Sequence, residues 1–131
     1  MIPLSLSLKN FLSYRENAPS LDFAGIHVAC LCGENGHGKS ALLDAITWCL
    51  WGKARGKGQD ELISYGADEC SVVLDFSSRD IHYRASRSHS RRGGRRRQGA
   101  TELQLQVLSD AGPTPISGNT IRETQAKIDQ L

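Results

Sequence analysis

Residues 33–40 constrain the fold of this chain more than any other stretch, because they fit the pattern G-x-x-x-x-G-K-[ST]. They read Gly33-Glu34-Asn35-Gly36-His37-Gly38-Lys39-Ser40. An apolar run precedes them at 26–32, and an apolar segment follows from 41 to 51 before Gly52. A buried strand, a glycine-rich loop and a helix in this order form a phosphate-binding P-loop. We therefore predict a strand at 26–32 and a buried helix from 39 to about 51.

The residue types of this loop suit an anionic ligand. Glycines allow several backbone N–H groups to point at one anion, and the helix that follows adds its own free N–H groups and the positive end of its dipole. Lys39 is expected to reach the β- and γ-phosphate oxygens, and the Ser40 hydroxyl is expected to bind Mg²⁺. The predicted nucleotide-binding residues are Gly33, Asn35, Gly36, His37, Gly38, Lys39, Ser40 and Ala41.

The remaining pattern is mostly that of strands. Apolar residues alternate with polar ones at 3–9, and a shorter strand is expected at 19–23. Three further alternating runs, at 72–76, 81–85 and 103–107, predict an antiparallel meander with one buried face. Together with the P-loop, this pattern predicts an α/β fold in which the meander lies beside the P-loop strand.

Shorter signals mark the segments between and after these strands. Residues 60–63 are typical of one helical turn, and Gly112-Pro113-Thr114-Pro115 is expected to break the chain. Thr120 and Glu123 have the spacing of a capping box, so a helix is expected to begin there and to turn Ile121, Ile128 and Leu131 toward one side.

With 131 residues, the chain is long enough for one hydrophobic core. It has no apolar run of membrane-spanning length, and residues 1–12 show strand alternation rather than the pattern of a signal peptide. We therefore expect a cytoplasmic protein with no membrane association. The cysteines at 30, 32, 49 and 70 have no C-x-x-C spacing, which favours buried free thiols over a zinc site.

The net charge of +2 hides a local basic segment. Seven arginines and no acidic residue lie between Arg84 and Arg97, which leaves nine basic and fourteen acidic residues elsewhere. Residues 86–99 are expected to form a mobile Arg/Gly-rich loop. Either it contacts DNA phosphates, or it is a solvated hairpin tip. The candidate DNA-binding residues are Arg87, Arg91, Arg92, Arg95, Arg96 and Arg97.

Asp75 is the one residue that resembles the Mg²⁺ carboxylate of a complete P-loop enzyme, because it follows the apolar residues 72–74. It falls on the polar side of an alternating strand, and Phe76 rather than an acid comes next. We therefore predict a solvent-facing Asp75 that binds no metal. The residues for hydrolysis are expected to lie outside this sequence.

Four segments together resemble one family, the SMC-like DNA-repair ATPases, and within it the bacterial SbcC type. They are residues 8–14, 33–40, 42–46 and 60–63. The resemblance is to the N-terminal half of an ABC-type ATPase head, and it covers essentially the whole chain. Where many relatives have an arginine near the phosphates this sequence has Leu12, so the resemblance assigns that role to Ser13 or Arg15.

The resemblance implies that the nucleotide is ATP, bound with Mg²⁺, and that this half alone is inactive. In that family the C-terminal half of the head brings the catalytic acids, a coiled coil joins the two halves, and ATP lies between two heads. The implied partners are that C-terminal half, a second copy in a homodimer, an Mre-type (SbcD-like) nuclease, and DNA.

Two other functions fit the sequence. The first is a self-contained small P-loop kinase or nucleotidase that uses Asp75, which predicts turnover by the 131 residues alone. The second is a basic nucleic-acid-binding module with a vestigial P-loop, which predicts DNA binding that is independent of ATP.

Overall fold

The computed structural model describes residues 1–16, 20–23, 39–54, 58–91 and 100–131. Within these ranges the strands are β1 (Ile2–Lys9), β2 (Leu21–Asp22), β3 (Glu69–Ser78), β4 (Ile81–Ser90), β5 (Ala100–Ser109) and β6 (Gly112–Pro115). The helices are α1 (Lys39–Trp51) and α2 (Ile121–Asp129), with a 3₁₀ turn at Gln59–Leu62. The predicted P-loop strand and loop, at 26–38, lie outside the described residues.

The strands form one antiparallel sheet in the order β2-β1-β3-β4-β5-β6. The predicted meander is confirmed as β3, β4 and β5, and its apolar residues lie in register on one buried face: Leu74 pairs with Ala85, which pairs with Leu105. The prediction is wrong for Ile81, which is exposed because it directly follows the turn at Arg79 and Asp80, where both residues have positive φ.

Helix α1 covers the buried face of the sheet, as its apolar sequence predicts. Ala45, Trp48 and Cys49 are buried, and the Trp48 ring lies 5.4 Å from the ring of Phe11. The Cys49 thiol packs against the strands, 3.4 Å from the Ala85 carbonyl oxygen. The helix ends at Gly52, whose φ of 71° is the left-handed conformation that favours glycine after a helix. The predicted bounds of this helix are confirmed.

Helix α2 begins at the predicted N-cap, Thr120, although Glu123 bonds the amide before Thr120 rather than that of Thr120 itself. Thr120 Oγ1 accepts a hydrogen bond from Glu123 N at 3.1 Å, and Glu123 Oε2 accepts one from Asn119 N. Thr124 and Ile128 face the core. Ile121 does not, contrary to the prediction, and is 41% exposed. The preceding segment packs against Thr124 instead, where Gly118 N donates to Thr124 Oγ1.

The predicted chain break at residues 112–115 is wrong, because these residues form strand β6. It pairs with β5, where Thr114 lies opposite Val107 and Pro113 opposite Leu108. The prolines are tolerated because β6 is an edge strand and needs to donate hydrogen bonds on one side only.

The prediction of a mobile loop over 86–99 is wrong for residues 86–90. These residues continue β4 in register with β5, and the last pair is Ser90 with Ala100. The inward positions of this extension are Arg87 and His89, both polar and both buried. Because they are polar, the alternation of apolar residues could not indicate that the strand continues.

Among the described residues, no helix is both long enough and apolar enough to span a membrane.

The N-cap of helix α2 gives a test of the fold. Replacing Thr120 by alanine leaves the amide of Glu123 without its partner, so the free energy of unfolding should fall by about 1 kcal/mol. Chemical denaturation measures this change. Thr114→Ala is the control, since that exposed threonine caps no helix; an equal loss in both variants would show that the cap contributes nothing.

Candidate functional site

The start of helix α1 is the described part of the predicted nucleotide site. The helix begins at Lys39, Ser40 is exposed in its first turn, and Ala41 is buried beneath it. No acidic residue lies in that turn, so no side chain of the turn itself opposes an anion at the positive end of the helix dipole. This end of α1 therefore suits phosphate and Mg²⁺. Gly33, Asn35, Gly36, His37 and Gly38 lie outside the described residues, and their roles stay predictions.

The turn that carries Ser13 and Arg15 is held tightly by the segment after the 3₁₀ turn. Leu12 N donates to Leu62 O at 2.7 Å, and Ser64 Oγ donates to Leu12 O at 2.6 Å. Ser13 is exposed, while the Arg15 guanidinium donates to the carbonyl oxygen of Tyr65 at 2.5 Å. The turn has a fixed shape, and the contact of Ser13 or Arg15 with phosphate stays a prediction.

A chain of side-chain hydrogen bonds runs from α1 to the strand ends beside the basic segment. Trp48 Nε1 donates to Gln59 Oε1 at 2.6 Å. In the same 3₁₀ turn Asp60 Oδ1 lies 2.7 Å from His89 Nε2, and His89 Nδ1 lies 2.7 Å from Thr101 Oγ1. The carboxylate can only accept, so Nε2 carries a proton. No pattern in the sequence indicates this connection between α1, β4 and β5.

The prediction that Arg87 contacts DNA is wrong, because Arg87 is a core residue. Its side chain is 6% exposed, and its guanidinium lies 5.9 Å from the centre of the Trp48 ring. It donates to the carbonyl oxygen of Cys49 and to the side chain of Gln125. In this position it cannot reach a DNA phosphate.

The basic segment therefore begins with Arg91, which is exposed and whose amide donates to Asp68 O at 2.7 Å. Arg92, Arg95, Arg96 and Arg97 lie outside the described residues. Their contact with DNA stays a prediction.

Asp75 lies on the polar face of β3, as predicted, but it forms an ion pair rather than facing solvent freely. Arg84 Nε and Nη2 donate to its two carboxylate oxygens at 2.7 and 2.8 Å. This bidentate pair raises the pKa of Arg84, and it places a positive charge on both carboxylate oxygens, where a metal cation would be repelled. The geometry opposes a Mg²⁺ site at Asp75.

Two of the four cysteines can be described, and both are free and buried. Burial raises the pKa of the Cys49 thiol to about 12 and that of Cys70 to about 11. The prediction of buried free thiols is confirmed at these positions. Cys30 and Cys32 lie outside the described residues.

Comparison with known proteins assigns this arrangement to a family. The sequence model for the AAA domain matches residues 5–130. The chain belongs to the AAA domain family. Within this family it is similar to repair ATPases of the SbcC and Rad50 kind, as the sequence resemblance implied.

Two curated relatives match the whole chain. The SbcC component of the SbcCD nuclease of Deinococcus radiodurans is 34% identical, and the probable DNA double-strand break repair Rad50 ATPase of Aquifex aeolicus is 30% identical. The chain spans 14% and 13% of the length of these two proteins. It therefore corresponds to one small part of proteins of that kind.

Solved structures show the same fold for this AAA domain chain. A structure titled as work on ATP-driven dimerization and DNA-stimulated activation of SMC ATPases has a TM-score of 0.67 at 20% identity, over 98% of this chain and 75% of that chain. The RecF–ATP structure of the RecFOR pathway has a TM-score of 0.60 at 20% identity, over 85% of this chain and 28% of that chain. The fold is that of a P-loop ATPase head, as predicted.

The buried thiols give a test of this packing. At pH 8 the raised pKa values alone should slow alkylation of Cys49 by about a thousandfold, and of Cys70 by about a hundredfold, relative to an ordinary cysteine. Peptide mass spectrometry after timed iodoacetamide treatment measures both rates. Denaturant should restore them, and fast alkylation of Cys49 in the folded chain would contradict its place in the core.

Proposed function

We propose that this chain is the ATP-binding half of a DNA-repair ATPase head, which hydrolyses ATP once the C-terminal half of the head completes it. One observation supports this proposal above the others. The P-loop motif runs directly into α1, a helix with an exposed, acid-free first turn and a body buried on the sheet. With Ser40 exposed and no acidic residue in its first turn, the start of α1 can offer backbone N–H groups to an anion.

The residues present have the chemistry that ATP and Mg²⁺ require. The loop from Gly33 to Gly38 would surround the phosphates with backbone N–H groups, Lys39 would neutralise the β- and γ-phosphates, and Ser40 would hold the metal through its hydroxyl. When bound, Mg²⁺ supplies positive charge to the phosphate oxygens. The part of this chain is to bind the nucleotide and orient it.

The missing half of the head is proposed from two features of the described residues. Both oxygens of Asp75 are held by Arg84, which supports a second half that brings the acids for metal binding and for activating water. Helix α1 also exposes Leu43 and Trp51, two turns apart on one side, with 59% and 44% of their surface open. We propose that the C-terminal half of the head covers this side.

The further partners follow from the relatives. A relative named as part of an SbcCD nuclease supports an SbcD-like nuclease partner acting on DNA, and the SMC structure titled for ATP-driven dimerization supports pairing with a second copy around ATP. We propose both for this protein, together with a cytoplasmic location.

The two other functions lose support in the structure. The small kinase needs Asp75 as a metal ligand, and the ion pair with Arg84 opposes that role. The basic module loses one of its six candidate arginines, since Arg87 lies in the core, and it retains Arg91 to Arg97. The basic segment from Arg91 to Arg97 is proposed to contact DNA phosphates as part of the head.

ATP turnover by the full-length protein tests the proposal. Lys39→Ala should lower turnover by at least about a hundredfold because the phosphates lose their cation. Asp75→Asn should keep turnover within about twofold, since this carboxylate binds Arg84 rather than metal. The same assay on the 131 residues, alone and mixed with the C-terminal half, shows which half brings the acids.

Full turnover by the 131 residues alone, abolished by Asp75→Asn, would refute the half-head proposal and support the kinase. ATP turnover that is unchanged by Lys39→Ala would contradict the proposed nucleotide site itself.

DNA binding gives a second test. Replacing Arg91, Arg92, Arg95, Arg96 and Arg97 by alanine should weaken DNA binding at least about tenfold in low salt and flatten its salt dependence, because fewer counterions are released. Fluorescence anisotropy with labelled duplex DNA measures both quantities. The control replaces the exposed Arg79 and Arg122, which lie outside the segment. An equal loss of DNA affinity in this control would show that the effect depends on net charge alone.

A further inference from the structure

Arg87 carries a buried positive charge that the proposed nucleotide chemistry does not use. It projects from β4 onto the C-terminal end of α1, where Nε donates to the Cys49 carbonyl oxygen at 3.3 Å. Its guanidinium also lies over the Trp48 ring, at 5.9 Å from the centre. Burial lowers its pKa, and within the described ranges no carboxylate forms an ion pair with it. Such a charge is costly unless other groups compensate it.

The end of α1 supplies that compensation. The last turn of the helix has no basic residue of its own, and its free carbonyl groups carry the negative end of the helix dipole. The nearby Cys49 thiol cannot act as a counter-ion, because burial raises its pKa to about 12 and keeps it neutral. Arg87 therefore acts as the C-terminal cap of α1, supplied from the sheet rather than from the helix.

Gln125 extends this cap to helix α2. Its Oε1 accepts from Arg87 Nη2 at 2.5 Å, and its Nε2 donates to the Leu50 carbonyl oxygen at 2.6 Å. The same Nε2 also lies 3.0 Å from Asp129 Oδ1, which fixes the direction of the amide. Carbonyl groups of two successive residues in α1 are thus held by two side chains that hydrogen-bond to each other.

Gly52 leaves room for the contact. A Cβ atom at this position would lie 3.1 Å from Arg87 Nη1, and the glycine φ of 71° disfavours a side chain in any case. The glycine that ends the helix therefore also admits the guanidinium. The three residues Arg87, Gln125 and Gly52 form one unit, which we call the helix-end clasp.

We propose that the helix-end clasp is a positioning device for the nucleotide site: Arg87 and Gln125 fix the far end of the P-loop helix and thereby the orientation of its phosphate-binding first turn. This inference rests on the proposed ATP site. The two ends of α1, Lys39 and Trp51, are about 18 Å apart and are joined by a rigid helix. Among the described residues, Cys49 and Leu50 are buried and their carbonyl groups are held by the clasp, whereas Ser40 at the other end is exposed. The clasp is therefore the contact proposed to set the tilt of the helix.

The test measures ATP affinity and turnover in the full-length protein with Arg87→Met, Arg87→Lys and Gln125→Leu. Methionine keeps the packing on Trp48 but removes the cation and its hydrogen bonds, while lysine restores the cation. Arg84→Met is the matched control, since Arg84 lies in the same strand and is paired on the opposite face. Thermal unfolding is recorded for every variant, and kinetics are measured well below each melting temperature.

Arg87→Met and Gln125→Leu should each weaken ATP binding at least about fivefold, as expected when a displaced element misaligns a site. Arg87→Lys should recover part of that loss, and Arg84→Met should stay within about twofold of wild type. If Arg87→Met does not fold, the ATP affinity of Gln125→Leu decides between the two roles.

Variants that melt earlier but keep wild-type ATP affinity and turnover would overturn the positioning role and leave the clasp as a packing contact. Wild-type protein that binds ATP no more tightly than Lys39→Ala would overturn the proposed ATP site, and the positioning role with it. The two failures are therefore distinguishable.

Discussion

The packing of α1 on the antiparallel sheet is the contact on which the rest of the structure depends. Cys49 packs against the carbonyl groups of Val72 and Ala85, and the buried ring of Trp48 packs against Phe11. Burial of apolar surface stabilises this packing by about 25 cal/mol per Å². The helix must meet two opposing demands. Its body has to be buried to stabilise the sheet, while its first turn, at Ser40, has to remain open to a ligand. The fold meets both demands because Trp48, Cys49 and Leu50 are buried near the end of the helix, while Ser40 is exposed at its start.

Those parts of the fold that follow from the periodicity of apolar residues could be predicted from the sequence. Alternation located the meander, and an almost wholly apolar run located α1, because each element has to bury one side. Prediction failed where a polar residue takes an inward position. Arg87 and His89 occupy buried positions of β4, so the sequence pattern predicted a loop where the strand continues. Strand β6 was not predicted, because Pro113 and Pro115 usually indicate the absence of a strand.

The candidate site divides in the same way. The P-loop could be recognised because its geometry is local, so that glycine, lysine and serine must occur at fixed spacings. The contacts around it are not local. The hydrogen bond from Trp48 to Gln59, that between Asp60 and His89, and that from Arg87 to Gln125 join residues that are 11, 29 and 38 positions apart. Nothing in the composition of either segment indicates its partner, because each contact joins two separate elements that come together only in the folded chain.

Strand β6 also determines where the sheet can grow. Ile116 N donates to Leu105 O, so every second amide of this segment points toward β5. Residues 113 and 115 have the opposite parity, which turns their backbone nitrogens outward, and both are prolines without an N–H group. The outer edge of β6 therefore has no amide donor at these two positions, and it makes a poor template for an incoming strand. Sheet extension by another chain is disfavoured on this edge, which protects the protein from strand-mediated aggregation there.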